Sequence, residues 1–126
     1  MGSAFDDSLV EPYTRELVAR ARRLTPQAIQ RHLAALDAAQ ASAEREMARF
    51  DVLLSPTTPF AAFPLGQFGP TADPDLLMQF TEQLASYTFP ASLAGWPAMS
   101  VPLHWTVQGL PIGCHFAAAV GQEARL

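Results

Sequence analysis

Apolar side chains recur every three or four residues in three stretches of the chain, a spacing that predicts amphipathic helices. The first stretch carries Val10, Tyr13, Leu17, Ala21 and Leu24. The second carries Ile29, Leu33, Leu36, Ala43, Met47 and Phe50, with Gln40 as its one polar position. The third carries Leu77, Phe80, Leu84 and Tyr87. We therefore expect a surface helix, then a long helix, and later a third helix that runs to about Tyr87.

Two helix starts are marked by a capping residue followed by proline. Thr25 precedes Pro26, and Asp73 precedes Pro74. A Thr or Asp side chain accepts a hydrogen bond from an unpaired amide of the first turn, and proline suits the first helical position because that position needs no amide donor. The second and third helices are therefore predicted to begin at these pairs.

Shorter apolar segments predict strands. Residues 52–54 are three consecutive apolar residues between an acid and a serine–proline pair, a pattern typical of a short, fully buried strand of a parallel sheet. Residues 98–106 and 111–120 predict two strands joined by a turn at Gln108 and Gly109. The last strand is apolar or small on both faces, so helices are expected on both sides of it. Helices that lead into strands indicate an α/β fold.

The connecting segments are irregular but rich in apolar residues. Residues 56–74 contain many Pro, Gly and Phe residues, which predicts a packed loop of the kind that often serves function. A short helix is expected in TFPASLAGWP, before the second strand. After a break at Gly121, the closing QEARL is expected to open a further helix. Residues 1–8 are expected to be disordered or foreign to the natural chain.

Composition narrows the functional classes. The 126 residues suit one domain, with a net charge of -4. All eight basic residues are arginines and none is lysine, and they form no basic patch that favours nucleic acid. No apolar run approaches the roughly 20 residues of a membrane span, and no signal peptide pattern opens the chain. With a single cysteine, the expected location is the cytoplasm.

Few side chains suggest chemistry directly. Cys114 and His115 are adjacent in a strand and so point to opposite faces, which makes both packing residues rather than a nucleophile and its base. His32, His104, His115 and Cys114 show no metal-ligand spacing, and no phosphate or dinucleotide motif is present, so we expect no metal and no cofactor. Ser55, Ser92 and Ser100 are interpreted as hydroxyls that cap backbone groups.

One resemblance rests on motifs that extend from about Phe50 to Leu126. The sequence reads FDVLLSPTTP, then PLG in the loop, then GWPAMSVP, GLPIG and the closing GQEARL. This order resembles the C-terminal third of the amidase signature enzymes, which hydrolyse amides. Residues 9–49 match the helical lead-in of that family less distinctively. The resemblance implies one partial domain over 1–126: part of a mixed β-sheet covered by helices, with a long helix pair at its N-terminus.

The resemblance also bears on the active site. Family members use a serine nucleophile, a second serine in a cis peptide and a lysine, beside a Gly/Ser-rich stretch. This chain has no lysine and no Gly-Gly-Ser-Ser run, so no catalytic residue is assigned and the chain alone is expected to be inactive. By analogy, the residues expected to line the substrate pocket are Thr57, Thr58, Phe60 and Cys114.

Three interpretations remain open at this point. The first is a C-terminal amidase fragment that contributes sheet and pocket loops for a small-molecule amide. The second is a non-catalytic binding or assembly module that reuses the half-fold or complements a separate catalytic chain. The third is a decayed remnant without activity. Because the strands expect neighbours, homo-oligomerisation or association with the missing N-terminal region is predicted.

Overall fold

Four α-helices and a three-stranded sheet are present in the computed structural model, which describes residues 6–69 and 72–126. The helices are α1 (Pro12–Arg22), α2 (Pro26–Met47), α3 (Pro74–Leu84) and α4 (Phe89–Ala94), and the strands are β1 (Leu53–Pro56), β2 (Ala98–Trp105) and β3 (Pro111–Ala117). Short 3-10 segments occur at Asp7–Leu9 and Glu123–Arg125. The α/β class and the N-terminal helix pair are confirmed.

Both predicted helix starts are confirmed in atomic detail. The Thr25 hydroxyl accepts a hydrogen bond from the amide of Ala28 at 3.1 Å. The Asp73 carboxylate accepts from the amides of Asp75 and Leu76 at 2.9 and 3.1 Å. Each cap satisfies amides that the first turn leaves without a helical partner, which is why α2 and α3 begin where they do. The expected disorder of residues 1–8 falls largely on residues 1–5, outside the described residues, whereas Asp6 caps the first 3-10 segment.

The sheet has the strand order β1-β3-β2, and both pairings are antiparallel. The predicted turn between the last two strands is confirmed, with Gly109 at a positive φ of 79°. The prediction of a fully buried strand of the parallel type at residues 52–54 is wrong. β1 is an edge strand beside β3, and the side chain of Leu54 is 61% exposed. An apolar run identifies a strand but does not show whether other elements cover it.

The buried core is small and consists mostly of alanine. Its apolar members are Met47, Ala91, Ala94, Ala117 and Ala118. Met47, at the C-terminal end of α2, is 2% exposed, and α2 packs against α4. Toward the start of α2 the same apolar stripe is open, since Leu33 is 55% exposed and Ile29 and Leu36 are exposed too. The stripe is thus covered at one end only.

Two arginines connect distant segments. The Arg20 Nε of α1 donates to the Glu16 carboxylate at 2.8 Å, and its guanidinium also pairs with Asp75 of α3. The hydrogen bonds to Glu16 and then to Asp75 raise the pKa of Arg20 above its ordinary value. At the other end of the chain, Arg125 pairs with Asp51, just before β1. These exposed ion pairs fix the relative placement of segments more than they add stability.

We predict that Thr25→Ala lowers the free energy of unfolding by about 1 kcal/mol, because it leaves the Ala28 amide without its cap. Thr25→Ser is the matched control, since it keeps the accepting oxygen and should unfold close to the parent chain. Urea denaturation followed by far-UV circular dichroism measures both. Equal losses in the two variants would show that the cap does not hold the start of α2.

Candidate functional site

One face of the sheet carries hydroxyl groups on either side of a histidine. Ser55 of β1 and Ser100 of β2 are both paired in register with His115 of β3, so the three side chains project from the same face. Thr57 lies two residues beyond Ser55, and its amide donates to the Gly113 carbonyl at 2.9 Å. We call Ser55, Thr57, Ser100 and His115 the hydroxyl–histidine cluster.

A hydrogen bond within this cluster crosses the central strand. The Thr57 Oγ1 and Ser100 Oγ atoms are 2.6 Å apart, although their segments flank β3 from opposite sides. The bond passes over Gly113, where an added Cβ would lie 2.5 Å from the Thr57 hydroxyl oxygen and 2.6 Å from that of Ser100. Position 113 therefore requires glycine, because any larger residue would overlap the two hydroxyl groups. It lets the two outer strands be joined above the inner one.

The second pair in the cluster joins Ser55 to His115. The Ser55 Oγ lies 3.3 Å from His115 Nδ1, and either atom is the donor, depending on the imidazole tautomer. His115 is 6% exposed, the one buried polar side chain among the described residues. This agrees with the prediction that its ring is packed and hydrogen-bonded.

Cys114 occupies the other face of the sheet. It is paired in register with Pro56 and Val101, it is half-buried, and its thiol is free. The predicted separation of the Cys114 and His115 side chains is thus confirmed. It follows that the sulfur does not share a face with the hydroxyl–histidine cluster.

The loop after β1 is packed by aromatic rings. Phe60, Phe63 and Phe68 of the loop gather around Phe80 of α3, and we call these four residues the aromatic cluster. The rings of Phe68 and Phe80 stack with their centroids 3.9 Å apart, and the Phe63 ring meets Phe80 edge-on at 4.9 Å. The packed loop predicted at 56–74 is confirmed between Phe60 and Phe68, because these contacts tie that part of it to a helix.

The four predicted pocket residues fall into two groups. Thr57, Thr58 and Phe60 follow one another closely along the exit from β1, and the Thr58 hydroxyl donates to the Phe60 carbonyl at 2.8 Å. Thr57 belongs to the hydroxyl–histidine cluster and Phe60 to the aromatic cluster, so this short segment links the two. Cys114 is not brought together with them, since it lies across the sheet from Thr57.

The pairing of Ser55 and Ser100 with other side chains is a feature that the sequence interpretation missed. Both were expected to cap backbone groups, yet each has a side-chain partner across the sheet. The alternation of hydroxyls at Ser55 and Thr57 places them on one face and was readable in the sequence. Their meeting with His115 and Ser100 depends on strand register, which no local pattern supplies.

Within 6–69 and 72–126, no three His, Cys, Asp or Glu side chains lie close enough to hold a metal ion. No helix in those ranges has both the length and the apolar character needed to cross a bilayer. The hydroxyl–histidine cluster and the aromatic cluster are joined by the short segment that contains Thr57, Thr58 and Phe60.

The chain matches a known family and several of its members. The family model described as Amidase matches residues 2–126. A glutamyl-tRNA(Gln) amidotransferase subunit from Prochlorococcus marinus is 47% identical over 76 residues, which cover 60% of this chain and 14% of that protein. The subunit of the same name from Rhizorhabdus wittichii is 50% identical over 70 residues, covering 56% and 13%. The match thus spans about a seventh of these relatives.

Solved structures show the same fold. A 6-aminohexanoate cyclic dimer hydrolase superimposes on 96% of this chain with a TM-score of 0.80, at 24% identity and over 28% of its own length. The corresponding glutamyl-tRNA(Gln) amidotransferase subunit from Thermotoga maritima superimposes on 98% of the chain with a TM-score of 0.66, at 21% identity and over 26% of its length. The helices and strands described above therefore correspond to about a quarter of a larger fold.

We predict that Gly113→Ala lowers the free energy of unfolding by about 1–3 kcal/mol, because the new methyl group overlaps the Thr57 and Ser100 hydroxyls. The loss should shrink in a Thr57→Ala, Ser100→Ala background, where both hydroxyls are gone. Gly69→Ala is the matched control, since a Cβ there meets no atom within 4 Å. Urea denaturation of the set measures the effect. The same loss in both backgrounds would locate the strain elsewhere.

Proposed function

The chain belongs to the amidase family, and from that membership we propose that it forms part of a hydrolase that acts on carbon–nitrogen amide bonds of small molecules. The observation that carries the proposal is the family match over residues 2–126, which takes in every described helix and strand. The similarity to solved structures supports the fold, but a shared fold does not determine the substrate.

We propose that the chain forms part of the wall of the active site. The segment Thr57, Thr58 and Phe60 joins the hydroxyl–histidine cluster to the aromatic cluster, so it offers hydrogen-bonding groups beside an apolar wall. Pockets for small molecules combine these two features. In this proposal the segment lines the substrate pocket. Cys114 would reach the same pocket only from the opposite face of the sheet, which makes it the weakest of the four assignments.

The chemistry of the family requires groups that this sequence lacks. Its serine nucleophile is activated through a second serine and a lysine, and the present sequence contains no lysine. We propose that these groups are supplied by sequence outside the 126 residues. The share of the curated relatives that the match covers, 14% in the Prochlorococcus case, is compatible with that division.

The second candidate function is a binding or assembly module. It is favoured by two observations. The apolar stripe is exposed at the start of α2, and two strands each have a free edge among the described residues. Open strand edges and contiguous apolar surface promote association. Under this proposal the partner is either the remaining part of an amidase or a second copy of this chain.

We expect the purified chain alone to leave simple amides unhydrolysed, because no lysine is present to activate a serine. Mixing it with the N-terminal remainder of a curated relative should produce turnover. The measurement is ammonia release from a panel of aliphatic and aromatic amides, with the remainder alone as the control. Thr57→Ala should lower the recovered rate, whereas Ser42→Ala, at an exposed position of α2, should leave it unchanged.

Two outcomes would contradict the proposal. Amide turnover by the 126 residues alone would show that the chain holds its own nucleophile for amides. Physical association with the remainder but no turnover for any amide would favour the assembly module instead. A binding assay run on the same mixture separates this second outcome from a simple failure of the two pieces to meet.

We also expect the free chain to self-associate as its concentration rises. Leu33→Glu should weaken this association several-fold, because it places a charge in the exposed apolar stripe of α2. Gln30→Glu adds the same charge at an exposed polar position of the same helix and is the matched control. Size-exclusion chromatography with light scattering over a concentration series measures the mass. A monomer at all concentrations would count against an interface on this stripe.

A further inference from the structure

The hydroxyl–histidine cluster contains a hydroxyl next to a proton acceptor. The Ser55 Oγ lies 3.3 Å from His115 Nδ1, and in the tautomer with its proton on Nε2 the imidazole accepts the serine proton. We propose that Ser55 is a nucleophile that His115 activates, and that the isolated chain is acylated at Ser55 by activated esters. This reaction is separate from the amide hydrolysis proposed above and needs no second protein.

Burial and register favour the pair. His115 is buried on the central strand, so its ring is held in one place, while Ser55 is half-buried on the edge strand β1 and remains open to a small reagent. A fixed base beside a reachable nucleophile is the arrangement that nucleophilic catalysis needs. The hydrogen bond is at the long end of the usual range, which is common in free enzymes before substrate binds.

Further hydroxyls lie on the same face. Thr57 lies two residues after Ser55, just beyond the end of β1, and Ser100 is paired in register with His115 on the other side of β3. Their mutual hydrogen bond uses one hydroxyl proton and leaves the other free to donate. The remaining proton is available to the oxygen of a carbonyl under attack, which would stabilise the negative charge that develops there.

Acylation and the deacylation that follows it consume only the ester and water. The Ser55 oxygen bonds to the carbonyl carbon of the ester, its proton passes to His115 Nδ1, and the bond to the phenolate leaving group breaks. The phenolate takes no proton, so Nδ1 releases the serine proton to solvent. Water then attacks the acyl-serine and gives a proton to Nδ1, which returns it to the Ser55 oxygen as the acyl group leaves as a carboxylic acid that ionises in solvent. Among the described residues no carboxylate pairs with His115. Without a carboxylate to stabilise its imidazolium, the Ser55–His115 pair is suited to esters with good leaving groups and not to amides, whose leaving group is an amine.

The experiment exposes the 126-residue chain to p-nitrophenyl acetate. We expect a burst of nitrophenolate and one added acetyl group, which peptide mapping by mass spectrometry locates on Ser55. Ser55→Ala should abolish this label. His115→Gln, which keeps a polar side chain but not the base, should slow acylation by about 100-fold, the usual contribution of a positioned general base. Ser42→Ala, at an exposed serine of α2, should acylate at the parent rate.

Structural loss is separated from chemical loss by two further measurements. Each variant is melted by circular dichroism, and Ser55→Cys is tested for rescue, because a thiol at the same position restores a nucleophile. Rescue with an unchanged melting curve supports the proposal. An acetyl group on Cys114 or on the His115 ring overturns it, as does Ser55→Ala acylating at the parent rate. None of these results depends on whether the chain supports amide hydrolysis with a second protein.

Discussion

The central strand β3 is the element on which the other strands and the candidate site depend. β1 and β2 are both hydrogen-bonded to β3 and are not neighbours of each other. A side-chain hydrogen bond between Thr57 and Ser100 joins their two sides, and it exists because Gly113 carries no side chain beneath it. The same strand places His115 between two serines. On β3, one glycine thus leaves room for the hydrogen bond between the outer segments, and one histidine lies between the serines of the candidate site.

The sequence predicted those elements whose causes are local. Thr25 and Asp73 cap helices because the capping oxygen acts within three residues, and the turn at Gly109 is likewise decided by its own backbone. The predicted parallel, fully buried strand failed because burial is decided by distant parts of the chain. The apolar run before Pro56 showed that a strand forms there, and the position of that strand at the edge of an antiparallel sheet had to come from the structure.

The candidate site likewise contains some residues that could be predicted from the sequence and others that could not. Thr57, Thr58 and Phe60 could be singled out from the motif that resembles the amidase family, and the structure places them along one short segment. The roles of Ser55 and Ser100 were out of reach, because a strand register that brings residues 55, 100 and 115 to one line cannot be read from residue types. A shift of one residue in either pairing would turn the hydroxyls to the face of Cys114.

The balance of buried and exposed apolar side chains bears on what the chain does. Its core is built mainly of alanines, whose burial contributes little each, while larger side chains such as Leu33 and Leu54 stay exposed. An arrangement of this kind gains much of its stability only when another surface covers those side chains. In the solved structures that share this fold, the matched region makes up 28% and 26% of a longer chain. We therefore expect the segment from Thr57 to Phe60 to be held most firmly when the exposed faces of α2 and β1 are covered.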